Sequence, residues 1–285
     1  MSQESSAAHA SRSGDEVGYP LGSSDPERKR LVRQAQALHP ITCDAFRAAG
    51  IVPGMRVLDI GCGAGDVAML AANMTGPTGA VVALDRDAEN LAFARERAAQ
   101  LNLANIEFRQ GEIMQFTDGR PFDAIVGRYI LLFLPDRVGT LRHLMKSLRS
   151  GGIVACIEPD FSLPFRSEPL APLYSKATEW ARSVIRANNV NMDSGPALLR
   201  VFRDAGLVGT RMDCRTMLGG GTDCDVYELF TAVVRSMLPA IEAHQIATRE
   251  EVDIATLEQR IRAEAIELGS VLFGYTTFAA WAIKS

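Results

Sequence analysis

From residue 55 to about residue 160, the hydrophobic positions form short continuous runs separated by segments with helical spacing. Continuous runs predict strands covered on both faces, because a strand with one exposed face would alternate apolar and polar residues. Strands alternating with helices predict an α/β fold with a doubly wound, mostly parallel sheet. We expect strands at 56–60, 80–84, 105–109, 122–127 and 152–158, with helices at 65–74, 87–101 and 136–149.

The pattern changes near residue 160, where a proline-rich stretch (Pro159, Pro164, Pro169 and Pro172) leads into the next helical run. Two further strands, at 209–215 and 271–283, bring the predicted sheet to seven strands. Helices are predicted at 172–189, 195–205, 225–243 and 249–268. We expect insertions at about 161–190 and 217–268 to form a helical lid, although their apolar faces could instead cover the sheet or form a dimer interface.

The first fifty residues form a separate segment. Residues 1–18 are polar and rich in Ser and Ala, which predicts disorder. Residues 19–50 are predicted to be helical, starting near Asp25 and interrupted at Pro40, so that a second short helix ends at Gly50. We expect this segment to lie over the binding site of a domain spanning residues 51–285.

A glycine-rich turn follows the first predicted strand and opens the next helix. The sequence is Arg56-Val57-Leu58-Asp59-Ile60-Gly61-Cys62-Gly63-Ala64-Gly65-Asp66-Val67. Glycine is required where φ is positive or where a ligand approaches the backbone, and a helix N-terminus offers free N–H groups. The turn is therefore predicted to bind a ligand.

Two ligand classes use such a turn. A dinucleotide site has G-x-G-x-x-G spacing, whereas Gly61, Gly63 and Gly65 alternate and Asp66 stands where a small residue is needed. A carboxylate there would repel a pyrophosphate but not a zwitterionic amino-acid nucleoside. Asp85, at the end of the second strand, is placed to accept hydrogen bonds from a ribose diol.

The twelve-residue run closely resembles the first motif of class I S-adenosylmethionine-dependent methyltransferases, whose Rossmann-like fold matches the predicted sheet. Leu148-Arg149-Ser150-Gly151-Gly152 resembles the family turn L-x-P-G-G, with serine in place of proline. The resemblance implies S-adenosylmethionine as cofactor. It implies that the cofactor is bordered by Asp59, Gly61, Cys62, Gly63, Gly65, Asp85, Arg86, Glu112, Ile113, Gly127 and Arg128.

The N-terminal segment is similar to that of bacterial small-molecule methyltransferases. In that group a tyrosine and a helix glutamine reach the amino-acid end of the cofactor, which implies this role for Tyr19 and Gln34. The implied function is methyl transfer to O, N or C of a small organic acceptor, in secondary metabolism. The alternatives are a protein that binds S-adenosylmethionine for another reaction and, disfavoured by Asp66, a dinucleotide-dependent oxidoreductase.

Three residues are candidates for a general base. Glu158 and Asp160 end the fifth strand at the ligand-binding edge, where they could act as a base, orient the acceptor or hold Mg²⁺ weakly. His39 is a third candidate, although packing is the more common role for such a histidine. We expect no metal site, since the four histidines are scattered and no cysteine pair has C-x-x-C spacing.

Composition and net charge limit the kinds of partner that we expect the chain to bind. The net charge of −4, without a basic stripe, gives no reason to expect nucleic acid or an anionic membrane. An odd number of cysteines, five, without C-x-x-C spacing predicts a reduced chain, and with no signal-peptide core and no long apolar run the sequence predicts a cytoplasmic protein. The sequence leaves open whether the chain forms a homodimer.

Overall fold

The computed structural model describes residues 25–285, with side chains described for Arg28 and from Arg30 onward. The prediction of disorder at 1–18 and the role of Tyr19 lie outside these residues. The first helix, α1, runs unbroken over Asp25–Ala49 with Pro40 inside it, so the predicted interruption is wrong. Leu38, Ile41 and Phe46 are buried in the same core. Burial of one shared face therefore outweighs the backbone hydrogen bond that proline removes.

The predicted doubly wound sheet is confirmed. Strands β1 to β5 lie in the order β3-β2-β1-β4-β5 and all neighbours among them are parallel. Their bounds are Arg56–Ile60, Ala80–Asp85, Ile106–Gln110, Phe122–Arg128 and Leu148–Asp160. Helices α2 (Asp66–Thr75), α3 (Ala88–Gln100) and α4 (Arg137–Leu144) connect them. The carboxyl ends of these strands meet at one edge, where ligands bind in such sheets.

The sheet has eight strands instead of the predicted seven. The additional strand, β6 (Arg166–Glu168), pairs with the start of β8 (Val271–Ile283) on the side where β5 pairs further along. The opposite side of β8 pairs with β7 (Val208–Gly219). A three-residue strand produces no periodic signal, which is why the sequence did not predict it.

The remaining helices form two groups. Helix α6 (Ser194–Ala205) packs on the sheet in a core shared with α4. Helices α5 (Pro172–Ala187), α7 (Val226–Ala243), α8 (Arg249–Val252) and α9 (Leu257–Leu268) belong to a separate hydrophobic cluster beyond the strand ends. The helix predicted over 249–268 is broken, because Asp253 adopts a left-handed conformation between α8 and α9. Among the described residues, no helix is both long and apolar enough to cross a membrane.

Candidate functional site

The turn between β1 and α2 leaves an open space above its middle glycine. Gly61, Gly63 and Gly65 have φ of 64°, 51° and 84°, the left-handed region that glycine favours. A Cβ on Gly61 would lie 2.5 Å from Ile130 Cδ1, and one on Gly65 would lie 2.9 Å from Ala94 Cβ. A Cβ on Gly63 would meet nothing within 4 Å. The outer glycines therefore permit close packing, whereas Gly63 borders room for a ligand.

Asp85 closes one side of this space. Its Oδ2 accepts a hydrogen bond from Gly63 N at 2.7 Å, and its Oδ1 accepts one from Asp87 N at 2.9 Å. Burial raises the pKa of Asp85, while these two backbone donors oppose that rise. Each carboxylate oxygen keeps a further lone pair, so the group can still accept hydrogen bonds from a diol.

Asp59, near the end of β1, and Arg128, at the end of β4, are close enough for each charge to act on the other. Asp59 is 1% exposed and its Oδ2 has no hydrogen-bond partner. Burial raises the pKa of Asp59 and the nearby Arg128 cation opposes this. Arg128 lines the cavity and donates from Nη1 to Thr42 Oγ1 at 3.1 Å. Asp59 does not line the cavity.

Helix α1 forms a wall of the same cavity. Gln34 lines it and donates from Nε2 to the hydroxyl of Tyr275 at 3.1 Å. Arg28 pairs with Glu89 of α3 at 3.2 Å, and Arg33 pairs with Glu228 of α7. These ion pairs connect α1 to an element on each side of the opening.

The sequence-predicted cofactor residues are largely brought together. The cradle, defined here as the part of the cavity formed by the β1, β2 and β3 ends, is lined by a subset of them: Gly61, Cys62, Gly63, Asp85, Arg86, Glu112 and Ile113. Gly65 and Gly127 do not line it. A Cβ on Gly127 would lie 2.9 Å from both Ile60 Cγ1 and Ile130 Cγ2, so this glycine permits packing.

The cavity continues beyond the cradle into a second, apolar part, and its whole volume is about 630 Å³. We call this part the acceptor chamber. It is formed by the segments after β4 and β5, the ends of β7 and β8, and helices α5 and α7. Its lining is Tyr129, Ile130, Leu132, Phe133, Leu134, Pro135, Pro159, Phe161, Phe165, Tyr174, Ala181, Arg182, Ile185, Val190, Met217, Val226, Leu229, Phe230, Ala232, Val233, Met237, Gly274 and Tyr275.

Aromatic rings dominate one side of the chamber. The Phe161 ring lies edge-on to Tyr275 with centroids 5.0 Å apart, and Phe165 lies 5.9 Å from the same ring. Tyr174 and Phe230 form a second edge-on pair at 5.2 Å. Sequence reasoning missed these residues, because they come from four separate segments and only the fold brings them together.

Glu158, predicted as a base, points away from the cavity. It is 0% exposed and does not line the cavity, whereas its neighbour Pro159 does. Its Oε1 accepts from the backbone N of Ile130 and Leu131 at 3.0 and 2.8 Å. Its Oε2 accepts from Leu132 N and Ser194 Oγ, both at 3.2 Å. Burial raises its pKa to about 7. The arrangement fixes the turn after β4.

The two other predicted base candidates also lie outside the cavity lining. Asp160 Oδ1 accepts from Ser162 N at 2.9 Å and from Ser162 Oγ at 2.6 Å, which closes a local turn. His39 is exposed on α1. No cluster of three or more potential metal ligands occurs among the described residues. Neither Asp160 nor His39 therefore lines the cavity, where a general base would have to take a proton from a ligand.

Known proteins resemble this chain in both sequence and fold. Residues 51–206 match a family described as a methyltransferase domain. Demethylmenaquinone methyltransferase of Lactococcus lactis is 34% identical over 136 residues, covering 47% of this chain and 51% of that protein. The match therefore spans about half of that relative. Aklanonic acid methyltransferase DauC of Streptomyces is 32% identical over 172 residues, covering 56% and 78%.

A solved structure supports the fold. The YcgJ protein of Bacillus subtilis superposes with a TM-score of 0.58 over 87% of this chain and 99% of that one, at 19% identity. Likeness at this identity concerns architecture alone, and it agrees with the parallel sheet described above.

Proposed function

Because the chain belongs to the class I S-adenosylmethionine-dependent methyltransferase family, we propose that it methylates a small organic acceptor held in the acceptor chamber. The observation that carries the proposal is the continuity of the cavity, since the cradle and the chamber are lined as one space. A methyl donor and its acceptor must lie in contact for direct transfer, and a single cavity allows this.

The residues of the cradle fit S-adenosylmethionine. The open space above Gly63 leaves room for it, and Asp85 retains lone pairs suited to a ribose diol. Ile113 and Met114 offer apolar contacts to a base, while Arg128 and Gln34 are suited to the amino-acid end. When bound, the cofactor supplies an electrophilic methyl group on sulfur. The chain's residues bind and orient both partners and exclude water.

The chamber suits an acceptor with apolar, flat surfaces. Its lining is mostly aliphatic and aromatic, and edge-on rings accept flat aromatic groups favourably. The names of the two methyltransferase relatives specify demethylmenaquinone and aklanonic acid. Those names support a small-molecule acceptor for this chain, which we place in metabolism and in the cytoplasm.

Helices α5, α7 and α9 serve as the lid in this proposal, and α1 covers the cradle. The lid encloses the chamber with Tyr174, Val233 and Met237 facing the space beside the strand ends. Enclosure excludes water and raises the effective concentration of the acceptor beside the methyl group. A homodimer through the remaining helix faces is a further possibility, which light scattering of the purified chain will test.

Calorimetry with S-adenosylmethionine and, separately, NAD tests the cofactor half of the proposal. We expect binding of the first and none of the second, because Asp66 opposes a pyrophosphate. Transfer of labelled methyl to a panel of flat organic acceptors tests the other half. Binding of NAD alone, or tight cofactor binding without transfer to any acceptor, would contradict the proposal.

A further inference from the structure

The glycine turn after β1 is held from two neighbouring elements. Arg97 of α3 donates from Nη1 to the carbonyl of Ala64 at 2.6 Å and from Nη2 to Asp66 Oδ1 at 2.7 Å. At the end of β2, Asp85 Oδ2 accepts from Gly63 N. The turn and the first side chain of α2 are therefore fixed by a guanidinium group and a carboxylate. In the proposed function the carboxylate of Asp85 binds a diol, whereas the guanidinium group has no assigned role.

Helix α3 packs closely enough on the turn to deliver this guanidinium group. A Cβ on Gly65 would lie 2.9 Å from Ala94 Cβ, and Ala94 stands one helical turn before Arg97 on the same face. The guanidinium carbon of Arg97 lies 5.7 Å from the centroid of the Phe93 ring, which supports it from α3 itself. The Arg97 and Asp66 side chains are 20% and 19% exposed, so water and salt screen this ion pair less than one at the open surface.

Asp66 is the member of this pair that reaches the cofactor site. It lines the cavity at the first residue of α2. Burial lowers the pKa of Arg128, and the Asp66 carboxylate opposes this, so the charge of Asp66 reaches the end of β4. Arg128 is suited to the carboxylate at the amino-acid end of the cofactor. An uncompensated Asp66 would repel that carboxylate and weaken its binding.

We propose that Arg97 is a positioning residue for the cofactor: it neutralises the charge of Asp66 and, by also binding the Ala64 carbonyl, holds the glycine turn in its open shape. Arg97 does not line the cavity, so it acts on the cofactor through these two residues. The inference rests on the proposed place of S-adenosylmethionine in the cradle. A pyrophosphate stays disfavoured, because Asp66 still occupies the place of a small residue and a pyrophosphate carries more negative charge than one carboxylate.

Binding of S-adenosylhomocysteine, measured by calorimetry, tests the inference without turnover. We expect Arg97→Met to weaken binding about 10-fold or more, because it leaves a partly buried carboxylate unpaired beside the carboxylate of the ligand. Arg95→Met is the matched control, since Arg95 lies on the same helix but donates to the carbonyl of Phe108 in β3 at 3.0 Å. We expect this control to bind within about twofold of the parent, because exposed contacts contribute little.

Removing the charge of Asp66 separates neutralisation from a merely structural role. Arg97→Met combined with Asp66→Asn should recover most of the lost affinity, since the uncompensated carboxylate is gone. Asp66→Asn alone should bind S-adenosylhomocysteine at least as tightly as the parent, because asparagine can still accept from Arg97. A double variant as weak as Arg97→Met, or a marked loss of affinity in Asp66→Asn alone, would overturn the inference.

The parent chain keeps this inference separate from the proposed function. Failure of the parent to bind S-adenosylhomocysteine would contradict the proposed function itself. Binding by the parent that Arg97→Met leaves unchanged would overturn the inference alone. Urea unfolding shows whether each variant is folded. Where Arg97→Met is not folded, Asp66→Asn alone decides, because it keeps the contact between Arg97 and Ala64.

Discussion

Replacing Glu158 with glutamine is expected to change how the stability of the fold depends on pH. The parent carboxylate is fully buried and accepts four hydrogen bonds, three of them from the backbone N of residues 130–132. Burial raises its pKa from 4.5 to about 7. The folded chain therefore holds a proton in this range that the unfolded chain has released.

The sign of the effect follows from that proton. Raising the pH from 4.5 to about 7 favours the unfolded chain, which binds fewer protons, so the free energy of unfolding of the parent falls. At about 1.4 kcal/mol per pH unit, this group lowers stability by about 3 kcal/mol across the window. The stabilisation belongs to the neutral carboxyl and is fully present only below the unfolded pKa.

Glutamine does not titrate, and its NH₂ group cannot accept the hydrogen bond of Leu132 N. An unsatisfied buried donor costs about 1–3 kcal/mol. We therefore expect Glu158→Gln to be less stable than the parent near pH 5 and to approach it near pH 8. Urea unfolding at intervals of about one pH unit measures the difference.

Asp160→Asn is the matched control, since it removes a carboxylate from the same strand but one that accepts only from Ser162. A constant difference between the parent and Glu158→Gln from pH 5 to pH 8 would refute this reasoning. So would a fall in turnover with unchanged stability, because that is the result expected of a catalytic base.

Two further predictions concern the two parts of the cavity. Asp85→Ala should weaken binding of S-adenosylmethionine by about 1–3 kcal/mol, the cost of leaving buried hydroxyls unpaired. Gly63→Val should abolish binding, because the side chain would enter the open space at φ 51°. Calorimetry measures both, with Glu96→Ala, an exposed residue of α3, as the control. Phe230→Ala should raise the KM of an aromatic acceptor about 5- to 30-fold, because an edge-on ring contact and its buried area are lost. Cofactor affinity should stay unchanged. An equal loss of affinity for the acceptor and for the cofactor would contradict the division between cradle and chamber.

Local signals explain what the sequence predicted well. The glycine turn combines backbone conformation, strand and helix start within twelve residues, so its structure follows from nearby chemistry. The β1–β5 strands were predictable because each is a continuous buried run. The predictions of a helix interruption at Pro40 and of an unbroken helix through Asp253 were wrong because local signals did not decide the structure there. In both places tertiary packing or a single left-handed residue outweighed the local pattern.

The direction of Glu158 could not be predicted from its strand. The residues before it, Cys156 and Ile157, are both apolar and both fully buried, so neither face of the strand is marked as the ligand side. Side chains alternate between the two faces of a strand, but here the sequence does not show which face the Glu158 carboxylate takes. The acceptor chamber was unpredictable for a related reason, because Tyr129, Phe161 and Tyr275 meet only through long-range strand pairing.

The position of Glu158 also explains how the cradle and the acceptor chamber are kept in a fixed position relative to each other. Tyr129 has a φ of 57°, an uncommon conformation for a large residue, and the carboxylate fixes the three amides that follow it. Ile130 packs against Gly61 of the cradle, while Leu132 lines the chamber. A displaced turn would therefore disturb the cofactor and the acceptor together. Because in-line transfer depends on their alignment, a buried carboxylate can support catalysis here without exchanging a proton with the acceptor.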